Sequence, residues 1–281
     1  MNPILLAVIV VCSIGLLCAV VLVVASKFFG VEEDEKAGKI RECLPGANCG
    51  ACGYAGCDGY AKALAEEDGI KTNLCIPGAD AVAKQISEIL GVEFEDVVEK
   101  IAVIHCYGDC NHTSKKMEYV GIQSCQAAKM LYGGDGKCGF GCIGLGDCVS
   151  VCPQNAICIS DGIARIDTRK CVGCGLCEKK CPQKIITVMD DVERVLVTCN
   201  NTEKGAVVRQ KCSNGCIGCK KCEKNCPVGA ITVVDNLARI DYDKCINCEE
   251  CAKNCPVGCI LISDFSGLHR YVAADSETAN V

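Results

Sequence analysis

The chain has 281 residues, of which 30 are cysteine, whereas Phe and Tyr together number 12 and Trp is absent. A core held by apolar packing alone normally uses more aromatic side chains, so something bound by cysteine is expected to hold much of the chain together. The net charge of −6, with no basic face evident, argues against a nucleic-acid-binding protein.

The N-terminal segment, residues 1–28, is predicted to be a single transmembrane helix, because residues 4–25 carry no charge. At about 1.5 Å per residue this run crosses a hydrocarbon layer of about 30 Å. A cleaved signal peptide is the alternative, but no basic residue precedes the run and no small-residue cleavage site follows it. Since Lys27 and Lys36 come after the run, the positive-inside rule places the rest of the chain in the cytoplasm.

Residues 29–104 are predicted to form a small α-rich iron–sulfur domain. Its thiols have the spacing Cys-x2-Cys-x4-Cys-x17-Cys and are interleaved with glycines that let the backbone wrap closely around a [4Fe-4S] cluster, with zinc as the alternative. Helices are predicted over residues 58–67 and 79–90, the second with an apolar packing face. The predicted ligands are Cys49, Cys52, Cys57 and Cys75.

The C-terminal half contains three runs of Cys-x2-Cys-x2-Cys-x3-Cys-Pro, which begin at Cys171, Cys216 and Cys245. This spacing is typical of bacterial two-cluster ferredoxins, in which the fourth Cys of each run ligates the other cluster. Zinc has no use for such triple spacing, and cysteines this close in series cannot all pair as disulfides. The runs therefore predict [4Fe-4S] clusters.

The chain aligns with itself when Cys142 is placed on Cys216, and this displacement along the sequence is called the repeat offset below. It defines two ferredoxin-like units, the first unit (residues 138–192) and the second unit (residues 193–264). Each is predicted to contain short helices and strands, such as residues 185–189 and 231–234, so the fold class is α+β. Three ligand sets are then complete: Cys216, Cys219, Cys222 and Cys255; Cys245, Cys248, Cys251 and Cys226; and Cys171, Cys174, Cys177 and Cys152.

One site of the first unit is irregular, because Leu145 stands where the repeat offset predicts a cysteine. Only Cys142, Cys148 and Cys181 remain in register. Cys138 is the nearest candidate for the fourth ligand. The alternative is a site with three thiolates.

The connecting segment, residues 105–137, carries three further cysteines, which together with Cys138 offer a sixth cluster in competition with the assignment above. Five clusters are expected, with six as the alternative. The repeat offset also relates Cys125 and Cys138 to Cys199 and Cys212, which indicates a shared role for the two pairs. The three cysteines of the segment are Cys106, Cys110 and Cys125.

The chain contains no Gly-rich phosphate loop and no Ser/His/Asp constellation, so it offers no nucleotide site, no flavin site and no catalytic residue. Cys158 and Cys259 are expected to pack as small apolar residues beside clusters. Residues 265–281 are predicted to be a mobile tail. The pattern as a whole predicts a relay for single electrons between two other proteins.

Residues 44–57, LPGANCGACGYAGC, lie between one transmembrane helix and the ferredoxin runs and resemble the B component of the Rnf electron-transport complex, over essentially the whole chain. The second unit and residues 106–148 are similar to the longer form of clostridia and acetogens. The resemblance implies a single-pass protein of the bacterial cytoplasmic membrane that accepts electrons from soluble ferredoxin. It would pass them to other subunits, which hold the flavins and the nicotinamide site, in a translocase that couples ferredoxin oxidation and NAD⁺ reduction to Na⁺ or H⁺ transport.

Ferredoxins are usually acidic, so docking is expected at lysines beside the cluster loops. Two rival functions remain at this point. One is a non-pumping redox subunit that keeps a regulator reduced or supplies low-potential electrons, and the other is a metal-scaffold protein without electron transfer. The candidate docking lysines are Lys179, Lys180 and Lys184, or Lys220, Lys221 and Lys224.

Overall fold

The fold is that of a computed structural model. The tail predicted to be mobile lies outside the described residues, apart from residues 267–269. Side chains are described for residues 11–24 of the first segment and as far as residue 263 near the C-terminus. The structure describes residues 3–29, 35–67, 69–191, 195–264 and 267–269.

The helices are short after the first one. They are α1 (Pro3–Phe29), α2 (Glu35–Cys43), α3 (Cys57–Glu66), α4 (Ala79–Leu90), α5 (Cys125–Met130), α6 (Asp147–Ser150), α7 (Leu176–Lys180), α8 (Gly205–Lys211), α9 (Lys221–Lys224) and α10 (Glu250–Lys253), with a 3-10 turn at Ile76–Gly78. The strands are β1 (Lys100–Ile104), β2 (Ile157–Ser160), β3 (Ile163–Ile166), β4 (Ile186–Asp190), β5 (Val195–Val197), β6 (Ile231–Val234), β7 (Leu237–Ile240), β8 (Ile260–Asp264) and β9 (Gly267–His269).

Helix α1 covers the apolar N-terminal run, and Pro3 suits its first turn because the fixed φ of proline is already helical. The side chains of residues 11–24 are exposed in the isolated chain. Among the helices of the described part, none combines the length and the apolar character that crossing a membrane requires. The transmembrane anchor therefore stays a prediction.

Helices α2, α3 and α4 form an N-terminal module around the fully buried Tyr60, whose hydroxyl donates to the Lys71 carbonyl at 2.7 Å. Helix α4 has the predicted bounds and ends at Gly91, whose left-handed backbone is the usual helix terminator. Its predicted packing face is confirmed, because Ile86 is buried in the module core and Val82, Ile89 and Leu90 pack against that core. The module has an apolar core of its own.

The two units repeat each other in three dimensions. The hairpin β2–β3 pairs Ile157 with Ile166, and the hairpin β6–β7 pairs Ile231 with Ile240, which are the same two positions after the repeat offset. Helices α6 and α9 are related by the same offset. Helices α6 and α9 are each about one turn long, which is too short for a helix to be stable without tertiary support. The internal repeat is confirmed.

Strands β1 and β5 occupy the same place in the two units. Strand β1 pairs antiparallel with β4, and β5 pairs antiparallel with β8. The register places Ile104 opposite Ile186 and Val197 opposite Ile260, and the repeat offset relates Ile186 to Ile260. Strand β1 precedes the boundary predicted at residue 104, yet it completes a sheet of the first unit.

The connecting segment joins the two units through polar contacts. Thr113 Oγ1 donates to the Lys211 carbonyl at 2.7 Å, and Asn214 Nδ2 donates to the Tyr107 carbonyl at 3.0 Å. Arg165 of the first unit lies 4.3 Å from the ring centre of Tyr107 and bonds Asp109 at 3.3 Å. The segment therefore packs between the units.

Candidate metal centres

The cysteines of the N-terminal module come together where its loops meet α3. Cys57 begins α3 and Cys75 precedes the 3-10 turn, and both are buried. Burial raises the pKa of Cys75 to about 11, and the nearby thiols of Cys57, Cys49 and Cys52 add to the rise. The structure thus groups the four predicted ligands.

The first-unit run brings Cys171, Cys174 and Cys177 together with Cys152. Burial raises the pKa of Cys177 to about 12, followed by the effects of Cys171 and Cys174. Burial likewise raises the pKa of Cys174, with contributions from Cys49, Cys171 and Cys152. The backbone N–H of Ala156 donates to Cys152 Sγ at 3.3 Å.

Strand β1 supplies part of this site. The N–H of Ala102 donates to Cys171 Sγ at 3.3 Å. The approach depends on Gly173, whose φ is +60° and whose Cβ, if present, would overlap the Lys100 carbonyl oxygen. Glycine at this position therefore lets β1 reach the cysteine loop.

A cavity of the first unit holds the irregular site. Cys142, Cys148 and Cys181 line it together with Cys125 and isoleucine side chains. Burial raises the pKa of Cys148 to about 11, and Cys125 and Cys181 add to the rise. Cys138 is absent from this lining, so the structure places Cys125 where the sequence suggested Cys138.

The position of Cys125 is fixed by the start of α5. The Ser124 hydroxyl caps this helix by accepting from the Ala127 N–H, as N-cap serines do. Asp147 accepts from Ser124 Oγ at 2.9 Å and from the Gln126 N–H at 3.0 Å. Although burial raises the pKa of Asp147, these donors hold it below its ordinary value. A carboxylate of the first unit thus holds the helix that carries Cys125.

A further cavity lies between the two units. Cys138 lines it, in company with Cys106 and Cys142 from the first half and Cys199 and Cys212 from the second. The predicted sixth set is therefore only partly brought together. Cys106 and Cys138 share this cavity, whereas Cys110 is exposed and Cys125 lies in the other cavity.

The second unit repeats the arrangement of the first. Burial raises the pKa of Cys251 to about 12, with Cys245, Cys222 and Cys248 adding to it. Burial raises the pKa of Cys222 to about 11, with contributions from Cys216, Cys255 and Cys219. The Ala230 N–H donates to Cys226 Sγ at 3.3 Å, as Ala156 does to Cys152.

These donor sets fit [4Fe-4S] clusters. They are made of thiols, and backbone N–H groups donate to the sulfurs of Cys152, Cys171 and Cys226, which is the environment that tunes iron–sulfur ligands. Within the part of the chain that the structure describes, no three His, Cys, Asp or Glu side chains are grouped closely enough to hold a single metal ion.

Known protein families match most of these segments. A family model described as an Fe-S cluster matches residues 44–77. A model described as a 4Fe-4S dicluster domain matches residues 215–259, and two described as 4Fe-4S binding domains match residues 164–187 and 141–156. The matched segments contain the cysteine runs and the N-terminal motif.

Three relatives extend the similarity to most of the chain, and each is the B component of its complex. That of the proton-translocating ferredoxin:NAD⁺ oxidoreductase of Clostridium ljungdahlii is 40% identical over 216 residues, 76% of this chain and 76% of the relative. That of the Na⁺-translocating ferredoxin:NAD⁺ oxidoreductase of Acetobacterium woodii is 40% identical over 87% of this chain and 73% of the relative. That of the ion-translocating oxidoreductase of Methanosarcina acetivorans is 39% identical over 73% of this chain and 78% of the relative. The chain belongs to the family of Rnf B components.

In this Rnf B component, Cys259 has a role that the sequence did not reveal. It is buried, and its Sγ lies 3.6 Å from Cys255 Sγ. Hydrogen bonding from Cys259 lowers the pKa of Cys216 to about 6 and that of Cys255 to about 5. Cys259 belongs to the buried core of the second unit, so its expected packing is confirmed. The repeat offset places Ile185 at the corresponding position of the first unit, which therefore lacks this thiol donor. Cys158, in contrast, is exposed on β2, so the packing expected for it is wrong.

The candidate docking lysines of this Rnf B component differ in their surroundings. Lys179 Nζ donates to the Cys49 carbonyl at 3.2 Å, so it lies where the N-terminal module meets the first unit. Lys220 is 3.7 Å from Glu223, and Lys221 and Lys224 are exposed beside it. All six lysines are exposed, so the two trios differ in the contacts that they make.

Proposed function

We propose that this chain is the electron-transfer subunit of an Rnf-type ion-translocating ferredoxin:NAD⁺ oxidoreductase complex. The observation that carries the proposal is the placement of four-cysteine sets next to one another, from the N-terminal module through both units. A [4Fe-4S] cluster bound by each set would supply storage and release of one electron. The flavins and the nicotinamide site would then lie on partner subunits.

The chain's own residues would bind the clusters, shield them from water and tune them. Backbone N–H groups and the Cys259 thiol donate to ligand sulfurs, which favours the reduced state of the site. The cavity lining supports Cys125 as the fourth ligand of the irregular site. The five proposed sets are Cys49, Cys52, Cys57 and Cys75; Cys152, Cys171, Cys174 and Cys177; Cys125, Cys142, Cys148 and Cys181; Cys216, Cys219, Cys222 and Cys255; and Cys226, Cys245, Cys248 and Cys251.

The N-terminal module would exchange electrons with the first unit. Cys174 interacts with Cys49 across their contact. Lys179 of α7 reaches the Cys49 carbonyl, which fixes the two loops against each other. The two sets are therefore neighbours without an intervening element.

The second unit is the proposed place where soluble ferredoxin docks. Its ligands Cys219 and Cys248 are exposed, which is what electron exchange with a diffusing partner requires. Ile246, between two ligands, is 61% exposed and offers an apolar contact. Lys221 and Lys224 lie beside this surface and would attract an acidic ferredoxin.

Changing the second-unit lysines tests this function. In the variant K220E/K221E/K224E, reduction of the chain by reduced ferredoxin at low ionic strength is expected to slow by about tenfold or more, because steering by opposite charge is lost. Stopped-flow absorbance measured at several salt concentrations follows the rate, and its salt dependence should flatten or invert.

The matched control is K39E/K62E/K84E, which makes the same charge change on exposed lysines of the N-terminal module. It should reduce the rate far less. Equal rates for both variants and the native chain would refute docking at the second unit. A purified chain that holds little iron, or that reduced ferredoxin cannot reduce, would refute the electron-transfer function.

Helix α1 is the proposed single-pass membrane anchor, with the cluster-binding part on the cytoplasmic side. The uncharged run of residues 4–25 and the lysines that follow it support this assignment. Deletion of residues 1–28 is expected to release the chain from isolated membranes into the soluble fraction with its iron retained. A deletion variant that still sediments with membranes lacking the partner subunits would argue against the anchor.

A further inference from the structure

We propose that Cys106, Cys138, Cys199 and Cys212 bind an additional [4Fe-4S] cluster between the two units. The proposal rests on the proposed function for the identity of the cofactor. These four cysteines lie outside every segment matched by the iron–sulfur family models. They are also distinct from the five sets assigned above.

The four thiols line one cavity between the units. Cys138 lies near the other three thiols, because its charge raises the pKa of Cys106, Cys199 and Cys212 alike. Asn201 of the second unit points Nδ2 at Cys138 Sγ, 3.6 Å away, across the boundary between the units. The site is therefore completed only when the two units come together.

Cys106 and Cys199 are structural equivalents. Each follows its strand, β1 or β5, by two residues. Cys106 Sγ accepts the N–H of Cys142 at 3.3 Å, and Cys199 accepts the N–H of Cys216 in the same way. Because the repeat offset relates Cys142 to Cys216, Cys106 and Cys199 accept hydrogen bonds from equivalent residues of the two units.

Cys138 and Cys212 form the second equivalent pair. The repeat offset carries one onto the other, and each lies four residues before the first cysteine of its unit's pattern, Cys142 or Cys216. This pair therefore occupies matching positions in the two units, whereas Cys106 comes from the connecting segment and matches Cys199 only in its place after a strand. Four thiols thus line one cavity at the boundary between the two units.

The second unit can provide Cys199 because it does not need this residue elsewhere. Cys219 fills the position at which the first unit has Leu145, so the second-unit set is complete without Cys199. In the first unit Cys125, the counterpart of Cys199 under the repeat offset, lines the irregular site instead. One difference between the repeats accounts for the placement of both cysteines.

Glycines keep the cavity walls clear of side chains. A Cβ at Gly108 would lie 3.0 Å from Cys212 Sγ, and a Cβ at Gly141 would lie 3.5 Å from Cys106 Sγ.

The site would connect the two units. Through the N–H groups of Cys142 and Cys216, its ligands are in direct hydrogen-bond contact with the irregular set on one side and with a second-unit set on the other. A single chain of neighbouring sites would then run from the docking surface on the second unit to the N-terminal module.

The test is metal analysis of the full chain, purified without oxygen, combined with EPR and Mössbauer spectroscopy. Six clusters correspond to about twenty-four irons per chain, and the variant C106S/C199S should hold about twenty. The control C110S/C158S replaces two exposed cysteines and should hold the native amount.

The proposal would be overturned if C106S/C199S held as much iron as the native chain, or if it had lost zinc and not iron relative to the native chain. If this double variant loses much more iron, C138S decides: a new three-iron EPR signal supports the site, and an unchanged spectrum refutes it. If the native chain holds about twenty irons and C106S/C199S holds the same number, this additional site is refuted, whereas the relay of five sets still stands. A native chain with little iron would instead remove the proposed function itself.

Discussion

Removal of the iron by a chelator is expected to unfold both units of the chain. Cysteines make up four of the twelve buried residues in the second-unit core, and the others are aliphatic. Burial raises the pKa of the core thiols Cys222 and Cys251, so the sulfurs are not stable as bare thiolates inside the fold. A structural Zn²⁺ site on thiolates contributes about 10 kcal/mol or more, which is comparable with the whole stability of a domain, and a cluster on four thiolates is expected to contribute on the same scale.

The N-terminal module serves as an internal control for this experiment. Its core contains Tyr60, Ile40 and Ile86, which are large and fully buried. Hydrogen exchange followed by mass spectrometry should therefore show loss of protection in β6, β7 and β8 of the iron-free chain, and smaller losses in α3 and α4. Native-like protection of β8 without iron would show that apolar packing alone holds the unit.

The internal repeat allowed much of the fold to be predicted from the sequence. Strand β6 and helix α4 have the predicted bounds, and α3 begins one residue before the predicted helix. The spacing of the runs was informative because three thiols so close along the chain must face one centre. Ligands this close along the chain can therefore be assigned to one site from their spacing alone.

The remaining ligands could not be placed from the sequence because they come from segments distant along the chain. Cys125 reaches its cavity through the Ser124 cap and the bonds to Asp147, which belongs to a later helix. A signal for the equivalence of Cys106 and Cys199 was nevertheless present. The sequences AVIHC at residues 102–106 and VLVTC at residues 195–199 both read as a short strand followed by a cysteine.

The strand boundary shows the same limitation. Strand β1 lies next to the N-terminal module in sequence, and nothing local assigns it to the first unit. Its place is set by the pairing with β4 and by the N–H of Ala102 that reaches Cys171. The close approach at Gly173, which permits this contact, is visible only in three dimensions.

The variant C125S is expected to lose the irregular cluster or to convert it to a three-iron form, because only three thiols then line the cavity. The second change, Leu145→Cys, should restore it. Leu145 lies where the second unit has Cys219, and the flanking backbone is alike in both. Gly144 and Gly146 have φ of 79° and 83°, and their counterparts Gly218 and Lys220 have φ of 63° and 59°.

Iron content and Mössbauer spectra of C125S and C125S/L145C measure this rescue, and they should differ by up to about four irons per chain. The matched control is C125S/L131C, which adds a cysteine at an exposed leucine of the same region and should remain depleted. If C125S keeps the native spectrum, another residue such as Cys138 completes the site. If C125S/L145C regains the cluster and C125S/L131C does not, the first unit can hold the regular ferredoxin set. Cys125 would then be a substitute for the missing cysteine at position 145. The thiol count at this site, and not the position of the fourth thiol along the chain, would then be what the cluster requires.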